Sequence, residues 1–256
     1  MDLYFQVLAW LYKATTPDNI ARACAFFDSA LAADTDNIDA LIGSAMADAI
    51  EGALAPADPM AALATAEAKV TKALSAVPDH AQGHMLLGWV QIVTNRAAQG
   101  MAECAHALRL NPSLALAHAL IGLGKTYAGR AEETEAHIAE ALRLSPLDPT
   151  GRAWMTFAGF ANAELGRYEQ SAAWCRRAIE ANRNYPPAHF WLVIAFAQLG
   201  RLDEAHSALK AGLALDPNFT VSRARASWTA MSDDPTYRGA LEPAFSALRK
   251  AGLPEQ

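Results

Sequence analysis

Histidines are the residues of this 256-residue chain whose type and spacing most suggest chemistry. His84 and His118 are separated by the same interval as the repeated prolines described below, and His189 repeats their place further on, with Met155 at the intervening position. Imidazoles on adjacent helices can bind a metal ion or an anion. However, no Asp, Glu or Cys accompanies each histidine at ligand spacing along the chain. The sequence therefore predicts no bound metal and no cofactor, and a polar ring at the edge of a groove.

The sequence contains no complete motif for catalysis or nucleotide binding. It contains no GxSxG, no Walker loop and no HExxH. The segment GLGKT at 122–126 is similar to the end of a phosphate loop, but Ala117 stands where such a loop needs its first glycine. We therefore expect a protein that is not an enzyme.

Prolines return at a fixed spacing and carry similar neighbours. Pro78, Pro112 and Pro146 follow one another at equal intervals, and the same interval separates Arg183 from Pro217. Small residues recur at set offsets from these positions, as expected where two helices cross closely. Five residues before each repeat end stand Ala30, Ala73, Ala107, Ala141, Ala178 and Gly212. Twelve residues before it stand Ala23, Ala66, Gly100, Thr134, Ser171 and Ala205. Ten residues after it stand Ala45, Gly88 and Gly122, and Gly159 takes the same place once the three extra residues after Pro146 are allowed for; Val193 departs from this pattern.

This pattern resembles the tetratricopeptide repeat family, in which one helix-turn-helix unit takes up the interval seen between these prolines. The resemblance implies an all-α fold, a right-handed α-solenoid of about six helix-turn-helix units with C-terminal capping helices, in one domain. The units are predicted at 1–35, 36–78, 79–112, 113–146, 147–183 and 184–217, with capping helices in 218–256. Two units exceed the period, by nine residues in EGALAPADP (51–59) and by three near PLDPTGRAW (146–154).

The capping region is predicted to contain two helices, at 219–231 and 235–251. Their apolar positions recur at helical spacing and would form one buried stripe. They are Trp228, Tyr237, Leu241, Phe245 and Leu248.

In this family the first helices of the units line a concave groove, so the register predicts a binding surface. Its residues are Ile42, Met46, Met85, Trp89, Leu123, Tyr127, Phe160, Phe190 and Ile194. The Lys, Asn and Arg clamp with which many members hold chaperone tails is missing from these positions. The aromatic residues among them are expected to form one solvated track facing away from the core; alternatively, some pack between units. The occupant would be an amphipathic helix or extended peptide, the chain's own terminal helix, or a second copy of the chain.

Both ends of the chain suggest a more specific relationship. The segments DLYFQVLAWLYK and DDPTYRGALEPAFSALRKAGLPEQ are similar to the repeat module that follows bacterial class III adenylate or guanylate cyclase domains and some winged-helix regulators. The function expected is therefore a non-catalytic protein-interaction or scaffold module. The alternative is a regulatory or ligand-sensing module excised from a nucleotide cyclase or transcription regulator.

Composition bounds the partners and the compartment. The chain is 52% hydrophobic and 19% charged, with a formal net charge of −6, which argues against nucleic acid as a partner. No segment is long enough to cross a bilayer, so no membrane partner is expected. Three cysteines without paired spacing, Cys24, Cys104 and Cys175, predict a reducing, cytoplasmic location.

Overall fold

The computed structural model describes residues 17–54 and 59–256, and every regular element in these residues is helical. The thirteen α-helices there are α1 (Pro17–Ala33), α2 (Ile38–Leu54), α3 (Pro59–Ala76), α4 (Ala81–Val93), α5 (Ala97–Leu110), α6 (Ala115–Tyr127), α7 (Thr134–Leu144), α8 (Gly151–Glu164), α9 (Tyr168–Ala181), α10 (Pro186–Gln198), α11 (Leu202–Leu215), α12 (Val221–Met231) and α13 (Pro235–Lys250). A 3₁₀ turn, Ala131–Glu133, precedes α7. The first sixteen residues of the predicted unit 1–35 and the middle of the EGALAPADP segment lie outside the described residues.

The helices pack as hairpins that stack in chain order. Helices α2 and α3, α4 and α5, α6 and α7, α8 and α9, and α10 and α11 form the hairpins, and each hairpin packs against the next. The all-α solenoid predicted from the repeat is confirmed. The last two helices do more than cap it, because α13 folds back onto α8 and α10.

The small-residue positions predicted from the repeat lie where helices meet. All six residues twelve before a repeat end are buried, and so are five of the six residues five before it, with Ala30 partly exposed. The apolar position eight before the repeat end is buried in every hairpin as well. It holds Phe27, Val70, Cys104, Ile138, Cys175 and Leu209. Burial of apolar surface at these repeated positions stabilises each hairpin and joins it to its neighbour.

The backbones of α4 and α5 approach each other closely at two glycines. A Cβ atom on Gly88 would lie 2.7 Å from the backbone oxygen of Gly100 and 2.6 Å from Sγ of Cys104. A Cβ atom on Gly159, in α8, would likewise lie 2.6 Å from Sγ of Cys175. These distances are shorter than van der Waals contact. Glycine is therefore required for packing here, and the cysteines fill the space that it leaves.

The turn inside each hairpin from α4–α5 to α10–α11 uses a left-handed residue. Gly129, Gly166 and Gly200 have φ angles of 69°, 70° and 76°. In the α4–α5 hairpin the same place is held by Asn95, with φ of 60°. Asparagine tolerates this conformation better than other side-chain-bearing residues, and unlike glycine it offers an amide for hydrogen bonding.

The extra residues of the second unit lengthen its helices. Helices α2 and α3 have 17 and 18 residues, against 13 and 14 in α4 and α5. Most of the nine-residue excess is therefore helical rather than a surface loop. Of the three extra residues near PLDPTGRAW, one lengthens α8 to 14 residues and the others extend the connection after α7.

Ala141 provides a test of the register. Its side chain is fully buried in α7 beside Ile138, Trp154 and Ala158, whereas Ala139 on the same helix is exposed. Ala141→Glu should lower the free energy of unfolding by about 3 kcal/mol or more, because it buries an unpaired charge. Ala139→Glu is the matched control and should change it by less than about 0.5 kcal/mol. Urea unfolding measures both, and equal stabilities would contradict the register.

Gly88 provides a second test, through packing rather than charge. Gly88→Ala should cost about 1–3 kcal/mol, because the new methyl group meets the backbone of α5. Gly239 lies in α13 with no atom within 4 Å of an added Cβ, so Gly239→Ala should be neutral or stabilise by up to about 1 kcal/mol. Thermal melting of the two variants should therefore shift in opposite directions. A shared direction would mean that helix propensity, not the close crossing, decides the outcome.

Candidate functional site

The first helices of the hairpins form the inner side of the solenoid. Helices α2, α4, α6, α8 and α10 contact one another in succession. Helix α13 packs on α8 and α10, which places it against this inner side. The groove predicted from the repeat therefore contains a helix of the chain itself along its C-terminal half.

Helix α13 binds the groove through a continuous apolar stripe. Tyr237, Leu241, Phe245 and Leu248 recur at spacings of three and four, and all four side chains are buried. The Tyr237 ring meets the Tyr127 ring edge-on, with 5.3 Å between centroids. The hydroxyl of Tyr237 donates a hydrogen bond to the Trp228 carbonyl at 2.7 Å, so its buried polar end is satisfied.

The turn between α12 and α13 is anchored on two hairpin turns of the solenoid. Ser232 Oγ donates to the carbonyl of Tyr127 at 2.6 Å. The side-chain amide of Asn95 exchanges two hydrogen bonds with Asp233, at 2.5 Å to the carboxylate and 3.0 Å from the backbone N–H. Asp234 caps α13 by accepting from the backbone N–H groups of Thr236 and Tyr237. This turn fixes where α13 enters the groove.

The other end of α13 is tied down as well. Gln198 Nε2 donates to the carbonyl of Pro243 at 2.8 Å, and Lys250 Nζ donates to the carbonyl of Ala197 at 3.3 Å. The backbone N–H of Val221 donates to the carbonyl of Pro254 at 2.9 Å, so the end of the chain caps the start of α12. Helices α12 and α13 thus form one hairpin, held at both ends.

An aromatic cleft remains beside α13. The centroids of Phe160 and Trp191 are 4.4 Å apart, and Trp191 stacks on Trp228 at 4.7 Å. The cleft has a volume of about 100 Å³, and its wall is completed by Leu123, Tyr127, Thr156, Phe157, Tyr185, Pro187 and Tyr237. Burial raises the pKa of Tyr185 to about 12, so that hydroxyl is neutral at physiological pH. We refer to this space as the aromatic cleft.

The predicted groove residues divide into three groups. Leu123, Tyr127 and Phe160 line the aromatic cleft, and Phe160 and Ile194 also lie beneath α13. Phe190 stacks on Phe219 at 3.8 Å, at the far end of the stack. The remaining four belong to the N-terminal half of the core and do not line the cleft. They are Ile42, Met46, Met85 and Trp89.

The expectation of a solvated aromatic track is wrong for two of its four members. Phe160 and Phe190 are only 5% and 2% exposed, because α13 and Phe219 cover them. Trp89 and Tyr127 are partly exposed. Sequence reasoning missed Trp191, whose ring joins Phe160 to Trp228. The one sequence feature that could have pointed to Trp191 is the aromatic run from His189 to Trp191, and this run does not indicate which ring faces the groove.

Two of the repeated histidines have a structural role in helix termination. His84 Nε2 lies 2.7 Å from the carbonyl of Pro78, and His189 Nε2 lies 2.9 Å from the carbonyl of Arg183. Each ring thereby contacts the residue that ends the preceding hairpin, where orphan carbonyls need partners. The GLGKT segment lies within α6, and its Lys125 pairs with Glu133 at 2.7 Å, which leaves no phosphate loop there.

Two groups of side chains in the described residues have the types and spacing to hold a metal ion. One consists of His84, Glu103 and His106, and the other of Cys24, Asp48 and Glu51. The expectation of no metal considered ligand spacing along the chain alone. It is incomplete for His84, because Glu103 and His106 approach it from the paired helix. In the described part of the chain no helix is long and apolar enough to cross a membrane.

Comparison with known proteins identifies the kind of repeat. Residues 162–227 match the family model of the tetratricopeptide repeat, from the end of α8 into α12. The fold is similar to that of PilW, a widely conserved type IV pilus biogenesis factor, with 18% identity and a TM-score of 0.62 over 84% of this chain and 91% of that chain. It is also similar to pilF of Pseudomonas aeruginosa, with 16% identity and a TM-score of 0.59 over 84% and 91% of the two chains.

A chain of the Cut9–Hcn1 hetero-tetramer of the APC/C has a TM-score of 0.69 at 17% identity, over 93% of this chain and 42% of that longer chain. At these identities the likeness concerns the fold alone. A comparison with curated protein sequences gives no match. The family match applies to residues 162–227, and the likeness to solved structures extends the same kind of helical stack over most of the chain.

A buried acid, Glu164, lies beneath α13. Glu164 ends α8, and its Oε1 is buried without a hydrogen-bond partner among the described residues. Burial, and secondarily the charge of Asp234, raise the pKa of Glu164 to about 9. The folded state therefore holds a proton that the unfolded state releases near pH 4.5.

Glu164 should make stability fall as pH rises. Below pH 4.5 the ionisation of Glu164 does not affect the free energy of unfolding. Between pH 4.5 and about pH 9 it lowers the free energy of unfolding steadily, because the unfolded state binds fewer protons than the folded state in that range. Glu164→Gln should remove this loss and stabilise the protein on the order of 3 kcal/mol at pH 7. Urea unfolding at pH 5, 7 and 9 measures the difference, with the exposed Glu132→Gln as control. A difference between Glu164→Gln and parent that stays constant with pH would refute the buried-proton explanation.

Proposed function

We propose that this chain is a non-catalytic protein-interaction module of the cytoplasm that binds a partner peptide or helix on its concave face. Protein is the partner class, with a second copy of the chain as one such partner. Nucleic acid and membrane are not partners of this surface. The aromatic cleft is the recognition point, and the residues that carry it are Tyr127, Phe160, Trp191 and Trp228.

The observation that carries the proposal is the seating of α13. An amphipathic helix lies against the first helices, with its apolar stripe buried and its ends hydrogen-bonded. Surfaces that hold one amphipathic helix have the chemistry to hold another, since apolar anchors at helical spacing supply the contacts. The part of the groove next to α13 offers aromatic walls of the same kind.

The size and charge of the cleft suggest what enters it. A volume of about 100 Å³ suits one apolar side chain of a peptide, and it is below the roughly 300–1,000 Å³ typical of small-molecule sites. Arg152 lies over the Tyr185 ring at 5.4 Å, at the wall of the cleft. In the described part of the chain no acidic side chain pairs with Arg152: its Nη1 donates to the carbonyl of Pro149, and its Nε is buried without a hydrogen bond. The occupant we infer is a peptide with an apolar side chain beside a carboxylate.

A second candidate is a ligand-sensing module from a nucleotide cyclase or transcription regulator. The observation that favours it is that α13, a C-terminal element, forms part of the cleft wall through Tyr237. A small apolar ligand in the cleft would then bias the position of α13. Binding of a free small molecule, without any peptide, distinguishes this candidate from the first.

The test uses a library of displayed peptides panned against the full chain. Enriched peptides should carry an apolar residue near Asp or Glu. Trp228→Ala should weaken their binding at least tenfold, since truncating a large aromatic anchor often costs about 2 kcal/mol or more. The matched control is Trp174→Ala on α9, whose ring stacks with Arg177 and does not line the cleft.

A charge reversal separates binding from folding. Arg152→Glu should weaken the enriched peptides while leaving the melting temperature near that of the parent, and Arg177→Glu should leave both unchanged. The four variants are Trp228→Ala, Trp174→Ala, Arg152→Glu and Arg177→Glu. Equal peptide binding per folded molecule in all four would contradict the proposal. Enrichment of purely basic peptides would contradict the inferred occupant.

A further inference from the structure

Three side chains with metal-ligating atoms meet between α4 and α5. They are His84, in the first turn of α4, and Glu103 and His106 on α5. Glu103 and His106 are three residues apart, so they share one face of their helix. One ligand atom from each of the three residues lies within 4.8 Å of the other two. The hairpin crossing thus brings together an imidazole, a carboxylate and a second imidazole.

The His84 ring faces a hydrogen acceptor on each side. Its Nε2 lies 2.7 Å from the carbonyl oxygen of Pro78, and its Nδ1 lies 2.6 Å from Oε2 of Glu103. A neutral imidazole carries one N–H, so it can donate to only one of these acceptors. At the other contact a ring lone pair then meets an oxygen lone pair. A second proton or a metal cation between Nδ1 and Oε2 resolves this conflict.

The position of His106 favours a metal ion over a proton between His84 and Glu103. Its ring centroid lies 4.1 Å from that of His84. A proton between His84 and Glu103 needs no third ligand, whereas a metal ion does. The bond from His84 Nε2 to the Pro78 carbonyl then orients the ligating ring, as an outer partner commonly does for a metal-bound histidine.

The surroundings leave the ligands available. In the described part of the chain Glu103 pairs with no Lys or Arg, and its side chain is 29% exposed, so an ion can reach it. The Cys24, Asp48 and Glu51 group differs, because Lys69 lies 2.7 Å from Asp48 and its positive charge opposes a cation. The first group is therefore the stronger site.

The next hairpin provides an internal comparison. One repeat further on, the same three places are held by His118, His137 and Glu140. There the two rings are 6.2 Å apart, and Glu140 is held by Arg143 at 2.7 Å. Similar residue types at the same repeat positions thus do not form a ligand cluster, which makes this hairpin a natural control.

We propose that His84, Glu103 and His106 bind one divalent transition ion, Zn²⁺, between α4 and α5. Two imidazoles and a carboxylate are ligands that Zn²⁺ accepts, at about 2.0–2.2 Å, with a fourth position left for water or an added ligand. Because the three ligand atoms lie within 4.8 Å of one another, binding requires the Glu103 and His106 side chains to rotate toward the ion. The ion joins two helices of one hairpin and stabilises their crossing beside Gly88. This site is independent of the groove.

The experiment titrates Zn²⁺ into chelator-treated full-length protein that carries no affinity tag. Calorimetry should give one equivalent bound, and saturating Zn²⁺ should raise the melting temperature by about 5–10 °C. Glu103→Gln and His106→Ala should each weaken binding at least tenfold. His137→Ala, at the place that corresponds to Glu103 in the next hairpin, should bind Zn²⁺ as the parent does. Co²⁺ in place of Zn²⁺ should give a visible d–d spectrum that Glu103→Gln changes.

Three results would overturn the proposal. The first is the absence of saturable Zn²⁺ binding, which would mean that a proton resolves the contact between His84 and Glu103. The second is stoichiometric binding that neither Glu103→Gln nor His106→Ala weakens. The third is an equal loss of binding in His137→Ala. Because both Glu103 and His106 are partly exposed, these variants should stay folded, and circular dichroism of each variant confirms this before titration.

Discussion

Close crossing of paired helices, tightest in the α4–α5 and α8–α9 hairpins, is the constraint on which the rest of this structure depends. At Gly88 and Gly159 there is no space for a Cβ atom, and the neighbouring cysteine fills the gap. This close contact fixes the angle and spacing of the helices, so successive hairpins stack with their first helices inside. The groove, the seat of α13 and the approach of His84 to Glu103 all follow from it.

The α2–α3 hairpin, which contains the extra residues of the second unit, shows how the stack tolerates insertions. Helices α2 and α3 each gain about a turn, while the buried small residues Ala45 and Ala66 stay at their repeat positions. The crossing is preserved because the additions lie beyond it, at the ends of the helices. A repeat protein can vary in length there without changing the contacts that join neighbouring units.

The C-terminal hairpin changes what the groove can do. An open apolar groove would expose a large patch to solvent, which soluble proteins seldom do. Here Tyr237, Leu241 and Phe245 cover that surface, and the turn at Ser232 reaches back to Tyr127 in α6. Among the described residues, the aromatic cleft beside α13 is left uncovered, and it is there that we propose a partner binds.

The sequence by itself determined the helical repeat, because burial of small and apolar residues at a constant interval is a local, periodic requirement. It also identified the stripe of α13, whose spacing of three and four is local too. It did not determine that this stripe covers Phe160, or that Trp191 joins Phe160 to Trp228. Those contacts join residues far apart in the chain, and only the tertiary structure decides them. The same holds for His84, whose partners Glu103 and His106 lie on the following helix and meet it only because the two helices cross.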